Sequence, residues 1–245
     1  MDKYFDVNIE FNKKRVDDII EKIIIERKSG YVCSVNANIV SIANKDEKYK
    51  KIINKSLVNI CDGSILAKYI SIIYKGRYYS YVGADLFIEY IKNKKYRYLF
   101  LGNTEEVLSS LKLNLKNDFG KQTVQNSKFM PLPISSVDKF DYQNIANEIN
   151  IFNPDIIWVS LGAPKQEEFM YNILPYIKCG VMFGFGAILN FYSGLEKYKR
   201  APDIFLKYRL EWLYRLKQEP HKTYKRLKNE FLQMIILGLK EKWKS

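Results

Sequence analysis

The stretch Ile156-Ile157-Trp158-Val159-Ser160-Leu161-Gly162-Ala163-Pro164-Lys165-Gln166-Glu167-Glu168-Phe169-Met170 decides how the chain is read. Its first six residues are largely apolar and β-branched at the start, with Pro154-Asp155 before them and Gly162 after. A run of that length between turn residues reads as a strand buried in an α/β sheet. Gly162-Ala163-Pro164 gives a tight turn without bulky side chains. Lys165 to Glu168 then opens a helix with Phe169, Ile173 and Leu174 on one face. In open parallel sheets, ligands bind beyond the carboxyl ends of strands, where helix N-termini offer N–H donors. A small-residue turn there lets a ligand approach the backbone. Gln166 is expected in the first helical turn, with both halves of its amide open to a polar ligand. The alternative is an ordinary strand–turn–helix with a solvated first turn.

The rest of the chain repeats this alternation. Phe5 to Phe11 reads as a strand or hairpin. Lys14 to Lys28 is an amphipathic helix with Gly30 as its stop. Strands are expected at 31–35, 57–61, 96–101 and 180–183, with an edge strand at 122–129. Helices are expected at 39–44, 46–54, 64–74, 83–91, 104–117 and 142–152. This pattern predicts an α/β fold: a Rossmann-like core with a mostly parallel sheet over residues 1–196. Beyond Gly194 the pattern changes to two helices dense in aromatic and basic residues. They form an expected C-terminal helical appendage over 197–245. The first ends at Glu219-Pro220, and the second, to Trp243, has Tyr224, Leu227, Phe231, Met234 and Ile235 on one face.

At 245 residues, 47% hydrophobic and 15% aromatic, the chain carries a full core. No signal peptide and no spanning segment of ~20 apolar residues is expected. Cys33, Cys61 and Cys179 fit no metal-ligand spacing and read as reduced core thiols. The one histidine, His221, argues against a histidine metal site or a Ser-His triad. Of the net charge of +13, residues 197–245 carry 14 Lys plus Arg against 5 Asp plus Glu. Nucleic acid, an anionic membrane or a phosphorylated substrate would each match such a tail.

Several residues stand where chemistry is done on such a fold. Asp62 ends a strand before Gly63, a place for a carboxylate that must meet substrate; the alternative is a helix N-cap. Ser34, Asn36 and Asn38 follow another strand, where they bind a polar ligand or cap a helix. Asp85 offers the same two readings. Gly184-Phe185-Gly186 begins like a dinucleotide fingerprint, but Leu189 stands where its third glycine belongs. There is no P-loop and no Asp-x-Asp pair for a divalent metal, which leaves helix N-termini and arginines to neutralise a phosphate.

Taken together, these segments resemble the WecG/TagA/CpsF glycosyltransferase family. Cys33-Ser34-Val35-Asn36 looks like its T-x-N segment, Asp62-Gly63 its Asp-Gly pair, and Gly83-Ala84-Asp85-Leu86-Phe87 its G-x-D-L-F segment. Gly162-Ala163-Pro164-Lys165-Gln166-Glu167 is similar to its G-x-P-x-Q-E loop. Lys199-Arg200-Ala201-Pro202 and Arg209-Leu210-Glu211-Trp212-Leu213-Tyr214-Arg215-Leu216 are similar to its tail. Two departures stand out: Ser34 replaces threonine, and Ser80 stands where an arginine is usual, with Arg77 nearby.

The resemblance implies an inverting, metal-independent transferase that needs no cofactor. It would move a sugar, N-acetylmannosamine first, from a UDP-sugar to an undecaprenyl-diphosphate-linked acceptor in cell-surface polysaccharide or teichoic acid synthesis. Another hexose or a uronic acid is the alternative donor sugar. It implies Asp62 as general base. It implies Ser34 and Gln166 as substrate-binding residues, beside the further candidates Asn36, Asn38, Gly63, Asp85, Gly162 and Glu167, with Arg200, Arg209 and Arg215 closing over the diphosphate. It implies a cytoplasmic enzyme, peripheral on the inner face of an anionic membrane, compatible with a homo-oligomer and without a nucleic-acid partner. The reading from another class is a non-enzymatic nucleic-acid-binding α/β protein.

Overall fold

The computed structural model describes residues 1–81, 83–93, 95–198, 201–202, 204–205, 211–218 and 220–244. A short antiparallel hairpin, β1 (Asp2–Tyr4) and β2 (Val7–Ile9), precedes helix α1 (Lys13–Ile25) and strand β3 (Ser29–Val35). Helices α2 (Ala37–Ala43) and α3 (Glu47–Asn54) lead to β4 (Val58–Cys61), α4 (Ser64–Ile73) and α5 (Gly83–Asn93). Then come β5 (Tyr98–Gly102), α6 (Glu105–Phe119), α7 (Lys121–Gln125) and β6 (Ser127–Met130). The core closes with α8 (Tyr142–Phe152), β7 (Ile156–Ser160), α9 (Lys165–Ile173), β8 (Gly180–Gly184) and α10 (Gly186–Tyr192).

Six strands form one parallel sheet in the order β4-β3-β8-β7-β5-β6. Residues of β5, β7 and β8 are buried throughout, because helices cover both faces. Alternate strand residues feed two cores. Tyr31, Cys33, Leu99, Ile157, Val159 and Met182 pack with α2, α3, α4, α8 and α9. Val32, Phe100, Trp158 and Phe183 pack with α1, α5, α6 and α10. This is the expected Rossmann-like α/β core.

Local chemistry explains most element ends. The side chains of Asn12, Asn36, Asp46, Thr104 and Asp141 accept N–H bonds at the starts of α1, α2, α3, α6 and α8. Three expectations need correction. Helix α1 stops at Glu26, and Arg27 turns the chain at φ 51°; Gly30 lies inside β3, where a Cβ would run into the Leu57 side chain. The stretch 122–129 is not one strand, because Gly120 restarts a helical turn, α7, before β6. The third correction concerns the last helix.

That helix, Pro220–Lys244, follows the helix Glu211–Gln218 and packs on α2 and α4. It seats Met234 and Leu237 in the core, and Tyr69 donates to the Met234 carbonyl at 2.8 Å. The Tyr74 hydroxyl bonds Glu241 at 2.9 Å. Of the expected apolar face only Met234 is buried; Phe231 is 68% exposed and Tyr224 and Ile235 are exposed as well. Helical spacing puts Met234, Leu237 and Gly238 on the packing side, and Phe231, Leu232, Ile235, Ile236, Leu239 and Trp243 on the far side. Trp243 is 90% exposed. No helix among the described residues is long and apolar enough to cross a membrane.

Candidate active site

Two strand connections diverge at the centre of the sheet. β3 leads to β4 at one edge, while β8 leads into α10, which packs on β7 and α6. A crevice opens at the carboxyl end of such a pair. Ser34 lies at the end of β3 and Asp62 follows β4 directly. The Ser34 hydroxyl donates to Asp62 Oδ2 at 2.8 Å. The Asp62 N–H bonds the Val35 carbonyl at 2.7 Å, and the Tyr81 N–H bonds the Cys61 carbonyl at 2.8 Å. Asp62 does not cap α4: the N-cap position is Gly63, without a side-chain bond. Gly63 has φ +114°, a conformation open to glycine, and a Cβ on it would lie 3.7 Å from Asn36 Cβ.

The start of α5 and the turn after β8 complete this corner. A Cβ on Gly83 would lie 3.1 Å from Ile188 Cδ1, 3.7 Å from Asp62 Oδ2 and 4.0 Å from Phe185 Cε2. Any side chain at 83 would therefore fill the space between Asp62 and α10. Of the sequence candidates, Ser34, Asn36, Asp62 and Gly63 come together here. Asn36 is the N-cap of α2, with its Oδ1 accepting from Ile39 N–H at 3.1 Å. Asn38 is half-buried in the first turn of α2, and Asp85 is exposed in the first turn of α5. Ser80 is half-buried just before Tyr81, and Arg77 is exposed.

The loop from β7 to α9 is arranged differently from the sequence expectation. Gly162 adopts φ +75° and the Ala163–Pro164 bond is cis. Gln166 is only 6% exposed, and its amide is not open to a ligand at both ends. Nε2 donates to the Gly184 carbonyl and to Glu167 Oε1, both at 2.8 Å, and Oε1 accepts from Gly186 N–H at 3.2 Å. Glu167 is also not in a solvated first turn: it is 0% exposed, and Tyr49 donates to its Oε2 at 3.1 Å. The physical reason is the direction of α9, which packs on α3, β3 and β8 and turns both side chains inward. Burial pushes the Glu167 carboxyl up to about 7, and burial together with that carboxylate raises the Tyr49 hydroxyl.

One polar group was missed in the sequence. Asn103, at φ 68° after β5, donates to Ser160 Oγ at 2.9 Å and to Asn190 Oδ1 at 2.6 Å. Ser160 Oγ in turn donates to the Gly186 carbonyl at 2.9 Å. A Gly-Asn pair closing a strand was the available signal. Arg200 and Arg209 lie outside the described residues, as does the side chain of Arg215. Cys33, Cys61 and Cys179 are buried free thiols. Among the described residues no three His, Cys, Asp or Glu side chains group to hold a metal ion.

A six-stranded parallel sheet covered by helices, with a hydroxyl-held carboxylate at the carboxyl ends of β3 and β4, defines the class: a Rossmann-like α/β protein. The pattern of the family described as "Glycosyl transferase WecG/TagA/CpsF family" matches residues 5–245. The chain belongs to that family and is a glycosyltransferase. It is 32% identical over 208 residues to the N-acetylglucosaminyldiphosphoundecaprenol N-acetyl-beta-D-mannosaminyltransferase of Bacillus subtilis (strain 168), covering 83% of this chain and 77% of the relative. Proteins of the same name from Bacillus spizizenii and Staphylococcus aureus (strain NCTC 8325 / PS 47) are 26% and 28% identical. They cover 80% and 76% of this chain, and 74% and 70% of their own length.

Proposed function

We propose that this chain transfers N-acetylmannosamine from a UDP-sugar to the N-acetylglucosamine of a polyprenyl-diphosphate acceptor, with inversion and without a metal. The observation that carries this reading is the Ser34–Asp62 pair beside Gly83. The names of the relatives supply the sugar and the acceptor. An inverting transfer needs one base at the acceptor hydroxyl. Asp62, oriented by Ser34, takes that proton as the acceptor oxygen bonds the sugar's anomeric carbon. The bond from that carbon to the diphosphate breaks on the opposite side, and its electron pair leaves with UDP. Arg200, Arg209 and Arg215 offer paired planar donors for the departing charge. Metal independence rests on the lack of an Asp-x-Asp pair in the sequence.

The same reading divides the chain into a catalytic core, 1–196, and an appendage, 197–245, that covers the site and meets the membrane at its cytoplasmic face. The exposed apolar side of the last helix supports this, with exposed Lys228, Lys240 and Lys242 on the same helix. The side chains of Lys222, Lys225 and Arg226 lie outside the described residues. The test is a donor screen: the purified chain, a short-chain N-acetylglucosaminyl diphospholipid and a panel of UDP-sugars. Turnover with UDP-N-acetylmannosamine above the others is expected. Turnover with none of them, alongside retention of nucleic acid on a column, would favour the nucleic-acid-binding alternative.

A further inference from the structure

Glu167 has none of its surface exposed, and the Gln166 amide and the Tyr49 hydroxyl face its two oxygens. A buried carboxyl is by itself weak evidence for stability, because its desolvation offsets the bonds it makes. The carboxylate supplies direction instead. The Gln166 amide has a donor end and an acceptor end. Its Nε2 faces Glu167 Oε1 and the Gly184 carbonyl, and its Oε1 faces the Gly186 N–H. Turned over, the amide would set oxygen against carboxylate and N–H against N–H. Tyr49, donating from α3 to Glu167 Oε2, holds the carboxylate in turn.

The consequence reaches the corner that holds Asp62. With its N–H on Gln166 and its carbonyl on Ser160, Gly186 is held through both peptide groups that flank its Cα. A Cβ on Gly184 would lie 2.8 Å from Met170 Cε and 3.3 Å from Gln166 Nε2, so the clamp closes tightly on this turn. Phe185 and Ile188, on either side of Gly186, are the residues that abut Gly83 next to Asp62.

We propose that Glu167, with Tyr49, is a positioning residue: it fixes the orientation of the Gln166 amide and thereby seats the Gly184–Phe185–Gly186 turn beside Asp62. Only the kinetic arm of its test rests on the glycosyl-transfer reading. The variants are Glu167→Leu, Glu167→Gln, Tyr49→Phe, and Glu167→Leu added to Gln166→Ala, all in the full chain. Amide hydrogen exchange is read by NMR, and kcat and KM with UDP-N-acetylmannosamine and the short-chain diphospholipid.

In Glu167→Leu the Gly186 amide should exchange roughly tenfold faster, the effect of losing about one hydrogen bond, while Val159 in β7 stays unchanged. The kcat should fall by a similar factor with KM nearly constant. Glu167→Gln should restore both, because its side chain can accept from Gln166 and donate to the Tyr49 oxygen. In the Gln166→Ala background, Glu167→Leu should cost nothing more, since coupled residues are not additive. Gly186 protection equal to wild type in Glu167→Leu, or fully additive losses, would overturn the proposal. Should Glu167→Leu fail to fold, Tyr49→Phe keeps the ring volume and carries the same exchange test; unchanged Gly186 exchange there also overturns it. A wild-type chain that transfers no sugar would count against the glycosyl-transfer reading, and the exchange arm would still decide this one.

Discussion

The Ser34 hydroxyl and the Asp62 carboxylate meet at 2.8 Å across the ends of the neighbouring strands β3 and β4. A hydroxyl there orients a base without displacing its proton-accepting role. Asp62→Asn should keep the fold and lower turnover by roughly 10²–10⁴, the usual range for a general base. Ser34→Thr keeps the hydroxyl and should stay close to wild type, whereas Ser34→Ala should fall between. Steady-state kinetics on the folded variants check this; an Asn variant with near-normal turnover would remove Asp62 from the role.

Gln166→Ala leaves the Gly184 carbonyl, the Gly186 N–H and one Glu167 oxygen without their partner. Each buried unsatisfied group costs about 1–3 kcal/mol. The variant should therefore lose stability by several degrees in melting temperature, at roughly 2–4 °C per kcal/mol for a chain of this size. Activity should fall with it, because the turn beside Asp62 loosens. A variant with an unchanged melting temperature would show that the clamp contributes little.

Glu167 sets a pH dependence of stability. Its folded pKa, about 7, stands above the ordinary 4.5 because burial disfavours the charge. Between those values the folded chain binds more protons than the unfolded one. The contribution of Glu167 is therefore full below about pH 4.5 and is lost as pH rises through 7. The shift corresponds to about 3 kcal/mol at 1.36 kcal/mol per unit. Glu167→Gln should flatten this part of the curve. Urea midpoints of both proteins at pH 5 and pH 8 read the difference; parallel curves would show that the carboxyl titrates normally.

Turnover should survive excess EDTA, as the sequence has no Asp-x-Asp pair. Activity lost on chelation and regained with manganese or magnesium would reveal a metal requirement.

Truncation after Pro220 is a poor test of membrane binding, because the last helix buries Met234 and Leu237 in the core. Substitution on its far side is cleaner. Phe231→Ser, Leu239→Ser and Trp243→Ser together touch only exposed positions. Surface changes of this kind move stability by about 0.5 kcal/mol or less each. The triple variant should release the chain from anionic vesicles and leave turnover of a water-soluble acceptor intact. Sedimentation with vesicles as tight as wild type would place the membrane contact elsewhere.

The sequence by itself determined the alternation of strands and helices, the parallel sheet and the small-residue turns at its carboxyl edge. Each follows from periodicity, cap residues and glycine or proline punctuation, which are local signals. It also marked Asp62, at a strand end before a glycine, and Ser34, a hydroxyl at another strand end, as candidates. Tertiary structure decided which polar residue faces a ligand and which faces the core. Gln166 and Glu167 sit in a first helical turn that sequence alone reads as open to a ligand or to solvent, and only the docking of α9 against α3, β3 and β8 turns both inward. The last helix is the same case. It carries apolar residues on two sides, so its pattern permits either to be buried. The faces of α2 and α4 select Met234 and Leu237, and leave Phe231 and Trp243 in solvent, because burial is settled by the neighbour a face meets.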